Sequence, residues 1–121
     1  MVNVGIDILE VERIKNIIKR NKYFLDLCFC DEEIDQIKNK NSIYQSVSSR
    51  FCAKEAFFKC IGEKISKLKH LKEIKVLNLE SGKPIIRLSS NLNERYKKWN
   101  FSLSISHSRI FACAVVVSSK E

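Results

Sequence analysis

The sequence predicts an α+β fold: a compact single domain, residues 1–121, with a mostly antiparallel sheet packed on a long central helix. Three observations predict it. Residues 49–62 carry apolar side chains at helical spacing, with Phe51, Ala56, Phe58 and Ile61 able to cover a core. Residues 73–79 and 84–88 alternate apolar and polar side chains on either side of Glu80-Ser81-Gly82-Lys83, the pattern of a β-hairpin. Residues 101–106 alternate three apolar side chains with three serines, which puts each kind on its own strand face.

The remaining elements follow in order. Residues 2–8 are rich in β-branched side chains and predict a strand ending near Asp7. A helix follows, apolar at Val11, Ile14, Ile17 and Ile18 and polar at Arg13, Lys15, Lys19 and Arg20, with Asn21 as its stop. Residues 24–29 form a short apolar piece. Asp31-Glu32-Glu33 then opens a helical segment through Ile37, with acids first and Lys38 and Lys40 last, as the helix dipole favours. The central helix starts from Ser42 or Ser46 and ends at Gly62. Residues 92–99 predict a short helix. His107-Ser108-Arg109 makes a turn, and residues 110–117 return as a buried strand.

A chain of 121 residues makes one domain with a sizeable core. No apolar run reaches the length a membrane helix needs, and the N-terminal residues lack a basic leader, so the expected location is cytoplasmic. The five cysteines are odd in number and include no C-x-x-C pair, and neither His70 nor His107 sits at metal-ligand spacing. They are read as reduced, small hydrophobes. Lys and Arg outnumber the acids by 22 to 14, a formal charge of +8 that favours a nucleic acid, a phosphorylated ligand or an acidic protein. The lysines of residues 64–75 are read as a solvated face.

Three features carry chemistry. Glu55 and Lys59 stand four apart on one face of the central helix, where the plain reading is a surface ion pair. Asp7 ends a strand, and either caps the following helix or serves as a ligand. His107 follows the alternating strand. As a set they suit a phosphate ester: Mg²⁺ takes one or two carboxylates together with substrate phosphates and waters. Asp7 and Glu55 supply such carboxylates, and Lys59, Arg50 and His107 supply donors for phosphate oxygens. No protein nucleophile is evident, which fits phosphoryl transfer to an external hydroxyl.

Gly5-Ile6-Asp7-Ile8, Arg50-Phe51-Cys52-Ala53-Lys54-Glu55-Ala56-Phe57-Phe58-Lys59, Ser81-Gly82-Lys83-Pro84 and Ser104-Ile105-Ser106-His107-Ser108 occur in this order. Together they resemble the bacterial holo-acyl-carrier-protein synthases, the small 4′-phosphopantetheinyl transferases. The resemblance implies transfer of the 4′-phosphopantetheine arm of coenzyme A to a serine of apo acyl carrier protein, releasing adenosine 3′,5′-bisphosphate, in support of fatty acid biosynthesis. By matching positions, Asp7 and Glu55 would bind Mg²⁺ and Lys59 the pyrophosphate. Arg50 and His107 would lie at the nucleotide, with Gly82, Lys83 and Pro84 near the adenine, and Gly62 would keep a backbone phosphate contact. The resemblance further implies an acidic carrier protein docked on the first helix through Arg13, and a homotrimer whose sites lie between protomers. Charge alone adds Lys15, Lys19, Arg20 and Lys22 to that surface.

The chain departs from the family pattern at two places. Lys64 stands where a second loop glycine is usual, and Leu27 and Cys30 replace an arginine and a hydroxyl cap; Asp31 is expected to take over the capping. The competing reading is a basic nucleic-acid-binding protein that stacks bases on Tyr44, Phe57 and Trp99, although no ribonucleoprotein strand, zinc module or helix-turn-helix spacing accompanies it.

Overall fold

The first and last strands of the chain are neighbours. In the computed structural model, which describes residues 1–121, β1 (Val2–Glu10) runs antiparallel to β5 (Phe111–Lys120), and β5 runs antiparallel to β4 (Trp99–His107). The sheet order is therefore β1-β5-β4. A separate antiparallel hairpin joins β2 (Ile74–Asn78) to β3 (Pro84–Leu88). The helices are α1 (Val11–Arg20), α2 (Phe24–Cys28), α3 (Asp31–Lys38), α4 (Ile43–Ile61) and α5 (Ser90–Arg95), with a 3₁₀ segment at Leu68–Glu73.

The α+β class, the hairpin and the central helix stand as the sequence predicts. The Ser42 side chain caps α4 by accepting from the Gln45 amide, and Gly62 ends it in the left-handed region at φ 73°. Several boundaries differ. β1 continues three residues past Asp7, because Ile8, Leu9 and Glu10 still pair with Cys113, Ala112 and Phe111. Asp7 is thus inside a strand and caps nothing; the cap position of α1 belongs to Glu10. Asp31 is not the cap of α3 either. Cys30 holds that place, with the Glu33 carboxylate accepting from its amide at 3.1 Å in a capping box. The short helix α5 stops at Arg95, and Trp99 already belongs to β4, paired with Lys120.

The central helix is more deeply embedded than an amphipathic pattern suggests. Val47, Cys52, Ala53, Ala56 and Phe57 are fully buried, so α4 is covered on most sides by β1, β5 and the hairpin. Small residues allow this. A Cβ on Gly5 would lie 2.0 Å from the Ala56 carbonyl oxygen and 2.5 Å from the Cys60 amide nitrogen. The missing side chain therefore lets the β1 backbone rest on α4. Asp7, two residues on, shares that inward face and meets the helix one turn away.

Two cations of α4 are buried with it. The Lys54 ammonium has no exposure and donates to Glu33 Oε1 at 2.8 Å, to the Cys28 carbonyl at 2.8 Å and to the Leu71 carbonyl at 2.9 Å. Glu33 uses its other oxygen to accept from the Val76 amide at 2.9 Å. One turn earlier, Arg50 donates to the Val76 carbonyl, Ser46 Oγ, Gln36 Oε1 and Asn78 Oδ1. Glu33 and Gln36 on α3 thus grip Lys54 and Arg50 on α4, and β2 closes both contacts. Lys54 is wholly structural in its bonding.

The outward face of the main sheet divides into rows. Val2, Val4, Ile6 and Ile8 of β1 are all more than 60% exposed, beside Val115 and Val117 of β5 and then Ser102, Ser104 and Ser106 of β4. The apolar row is contiguous and uncovered within one chain.

Candidate active site

The close approach at Gly5 sets Asp7 against α4, and Lys59 responds to it. Lys59 Nζ donates to Asp7 Oδ1 at 3.1 Å and to the Ile6 carbonyl at 3.1 Å. The helical pair expected between Glu55 and Lys59 is not made; Lys59 crosses to the strand instead. Its ammonium stays more than half exposed, so it is free to exchange Asp7 for an incoming anion.

Glu55 is partly buried beside the same spot. Burial, and then repulsion from Asp7, push its carboxyl above the ordinary range, while Lys59 and Arg13 pull it down. The charge of Asp7 thus bears on Glu55, a repulsion that a cation between them would relieve. No third acid, histidine or cysteine joins them. Two carboxylates with open positions suit Mg²⁺, which fills its octahedron with waters and phosphate oxygens.

A stability prediction follows from the sign of that shift. With its folded pKa above the unfolded value, ionised Glu55 costs stability at all pH above the unfolded pKa of about 4.3. Glu55→Gln removes the cost. In metal-free buffer the variant is expected to melt higher than wild type at pH 7, the gain vanishing near pH 4. Paired thermal scans at the two pH values check this.

Cysteine chemistry is absent from the site. Cys52 lies under Asp7 and donates to the Ala112 carbonyl at 3.4 Å, and burial and then Asp7 push its thiol far above the ordinary range. Cys28 is pushed up to about 11, chiefly by burial. Neither forms a thiolate near neutrality.

A second group of predicted residues lies elsewhere. A cavity of about 340 Å³ is lined by Arg50, Gly82, Pro84, Ile105 and His107, and by Ser46 and Asn78 among others. Arg50 reaches it with four of its five N–H groups already committed, so one remains for a ligand. Lys83 adjoins this cavity between Gly82 and Pro84 without lining it. Glu55 and Lys59 instead line a different cavity with Phe58 and residues 63–68, including Lys64. Within one chain the carboxylate and histidine groups are separate. Gly62 is exposed at the head of that second loop, and Arg13, Lys19 and Arg20 are exposed on α1.

Residues 3–116 match the 4′-phosphopantetheinyl transferase superfamily. The chain belongs to that family. The holo-[acyl-carrier-protein] synthase of Clostridium tetani is 37% identical over 124 residues, covering all of this chain and 98% of that relative. Among solved structures, a Helicobacter pylori holo-[acyl-carrier-protein] synthase in complex with coenzyme A is 35% identical, with a TM-score of 0.83 over 96% of this chain and 99% of that one. A Bacillus anthracis synthase in complex with CoA (3′,5′-ADP) is 32% identical, with a TM-score of 0.81 over 98% and 96%. The family match thus accounts for residues 3–116.

Sequence reasoning missed Gln36 and Asn78, which hold Arg50 at the rim of the cavity, and Glu63, which Arg95 and Tyr96 hold at the other. No spacing signal connects residues so far apart in sequence. The alternative based on stacking loses Phe57, which is fully buried.

Proposed function

We propose that this chain transfers the 4′-phosphopantetheine arm of coenzyme A to a serine of an acidic acyl carrier protein, in the cytoplasm and in support of fatty acid biosynthesis. The observation that carries the proposal is the convergence of Asp7, Glu55 and Lys59 where β1 rests on α4. The serine hydroxyl gives up its proton to solvent, its oxygen forms a bond to the β-phosphorus as the pyrophosphate bond breaks, and adenosine 3′,5′-bisphosphate leaves. Asp7 and Glu55 would hold Mg²⁺, which when bound would supply positive charge to offset that of the pyrophosphate. Lys59 releases Asp7 and donates to a phosphate oxygen. The chain supplies no nucleophile, and its neutral, buried thiols are consistent with that division of labour. Its five free cysteines suit a reducing compartment.

The nucleotide half of coenzyme A is assigned to the cavity of His107, Arg50 and Pro84, with Lys83 at its edge. Because that cavity and the carboxylates lie apart within a chain, we assign each complete site to two protomers of a homotrimer. The uncovered row Val2, Val4, Ile6 and Ile8 supplies an apolar surface for the assembly. Sedimentation equilibrium is expected to give three chains per particle.

The decisive experiment mixes protein, Mg²⁺, coenzyme A and apo carrier protein, and weighs the carrier. The expected result is a carrier heavier by one phosphopantetheine, no reaction in excess chelator, and a drop of about a hundredfold or more in kcat/KM for Glu55→Gln. An unchanged carrier mass would overturn the reading.

A further inference from the structure

The lysines that follow α4 look like a solvated charge run, yet their setting is ordered. Lys64, Lys67, Lys69 and Lys72 are all exposed, and no acid interrupts the nine residues they span. They contribute four positive charges, half the formal +8 of the chain. The flanking acids are already engaged: Glu63 accepts from Arg95 and Tyr96, and Glu73 accepts from Asn91. None of the four lysines makes an ion pair, whereas neighbouring Lys75 pairs with Glu32 at 3.3 Å.

The backbone beneath them is pinned. Leu71 is fully buried, and its carbonyl accepts from the buried Lys54 ammonium at 2.9 Å. In a 3₁₀ helix side chains three apart eclipse one another, so Lys69 and Lys72 form one ridge while Leu68 and Leu71 form another. The near end of the strip enters the reactive centre, since Lys64 and Lys67 line the same cavity as Glu55 and Lys59. On α1, Arg13 is near enough to pull the Glu55 carboxyl down. The 3₁₀ segment packs on α2, and α2 packs on α1. Cations therefore bracket Glu55 from two elements.

We propose that Lys64, Lys67, Lys69 and Lys72 form a second docking strip for the acidic acceptor protein, acting with α1 to seat the acceptor over Glu55. This rests on the carrier-protein reading of the site. An acidic protein fits better than a nucleic acid, because the strip offers no exposed aromatic side chain for bases to stack on: its exposed apolar residue is Leu68. Charges at such a rim act mainly on encounter and on salt dependence.

The test uses Lys69→Glu/Lys72→Glu, which reverses the ridge without touching the cavity, and Lys97→Glu/Lys98→Glu as a control of equal charge change. Binding of fluorescently labelled acidic carrier protein is measured by anisotropy, alongside transfer kinetics. The ridge variant is expected to bind the carrier about tenfold more weakly at low salt, the gap closing near 0.5 M salt, with kcat and the KM for coenzyme A unchanged. The control is expected to bind as wild type. Equal weakening in both variants, or none in either, would overturn the strip, as would a rise in the KM for coenzyme A alone. So would a single-stranded RNA 20-mer that binds wild type more tightly than carrier at 150 mM salt and loses that affinity in the ridge variant. Because binding is read directly, the strip is judged even if wild type transfers no phosphopantetheine, an outcome that would sink the enzymatic reading instead.

Discussion

Lys54→Ala is expected to cost about 3–5 kcal/mol, enough to leave much of the protein unfolded at 37 °C. The ammonium is completely buried and satisfies three acceptors on α2, α3 and the 3₁₀ segment. Its removal leaves the Glu33 carboxylate without its cation in a site with no solvent access, and frees the Cys28 and Leu71 carbonyls. Burial depresses the Lys54 pKa while the Glu33 carboxylate at 2.8 Å opposes that, so Glu33 favours the charged form of Lys54. Lys54→Met/Glu33→Leu is expected to recover part of the loss. Full recovery is not expected, because the Val76 amide loses its acceptor along with the carboxylate. Urea melts of the two variants read both values, and a loss under 1 kcal/mol for Lys54→Ala would contradict the bonding described.

Gly5→Ala is the second large effect. The added methyl would sit 2.0 Å from the Ala56 carbonyl and 2.5 Å from the Cys60 amide, both backbone atoms in the middle of a helix. Neither can swing aside, so β1 and α4 must separate by an ångström or more. The expected cost is about 3 kcal/mol or more, above ordinary overpacking. Asp7 moves away from Glu55 and Lys59 with its strand, so folded variant protein is expected to lose transfer activity at least as severely as Glu55→Gln. Activity per folded molecule, with the folded fraction taken from circular dichroism, separates the two consequences. Retention of wild-type kcat in folded Gly5→Ala protein would show that the approach of β1 to α4 does not position the site.

How much of this was legible follows from the range of each interaction. The caps at Ser42 and Gly62, the hairpin around Gly82 and the serine alternation in β4 depend on residues within a turn or two, and the sequence displays them directly. Boundaries set by pairing across the sheet were not visible. β1 outruns Asp7 only because Ala112 and Phe111 arrive to pair with it. The same holds for chemistry. Asp7, Glu55 and His107 stand out through motif order, but the partner of Lys59 within the chain does not. Helical spacing pointed to Glu55, and only the Gly5 contact brings Asp7 nearer. The clamp around Lys54 has no signal in the sequence, since its three acceptors come from distant segments and two are carbonyls that any residue could supply.

The pairing of β1 with β5 also bears on synthesis. Asp7 is made well before Ala114, with which it sits in register, and no nearer strand pairs with β1. The hairpin and the α3–α4 clamps can form while the chain is still emerging, since their contacts span a few tens of residues. The carboxylate pair cannot be set until the closing strand leaves the ribosome. Until then the first strand, with its four exposed aliphatic side chains, is an unpaired sticky edge. A slow, late step that closes the sheet would therefore govern both the onset of activity and the window for misassociation.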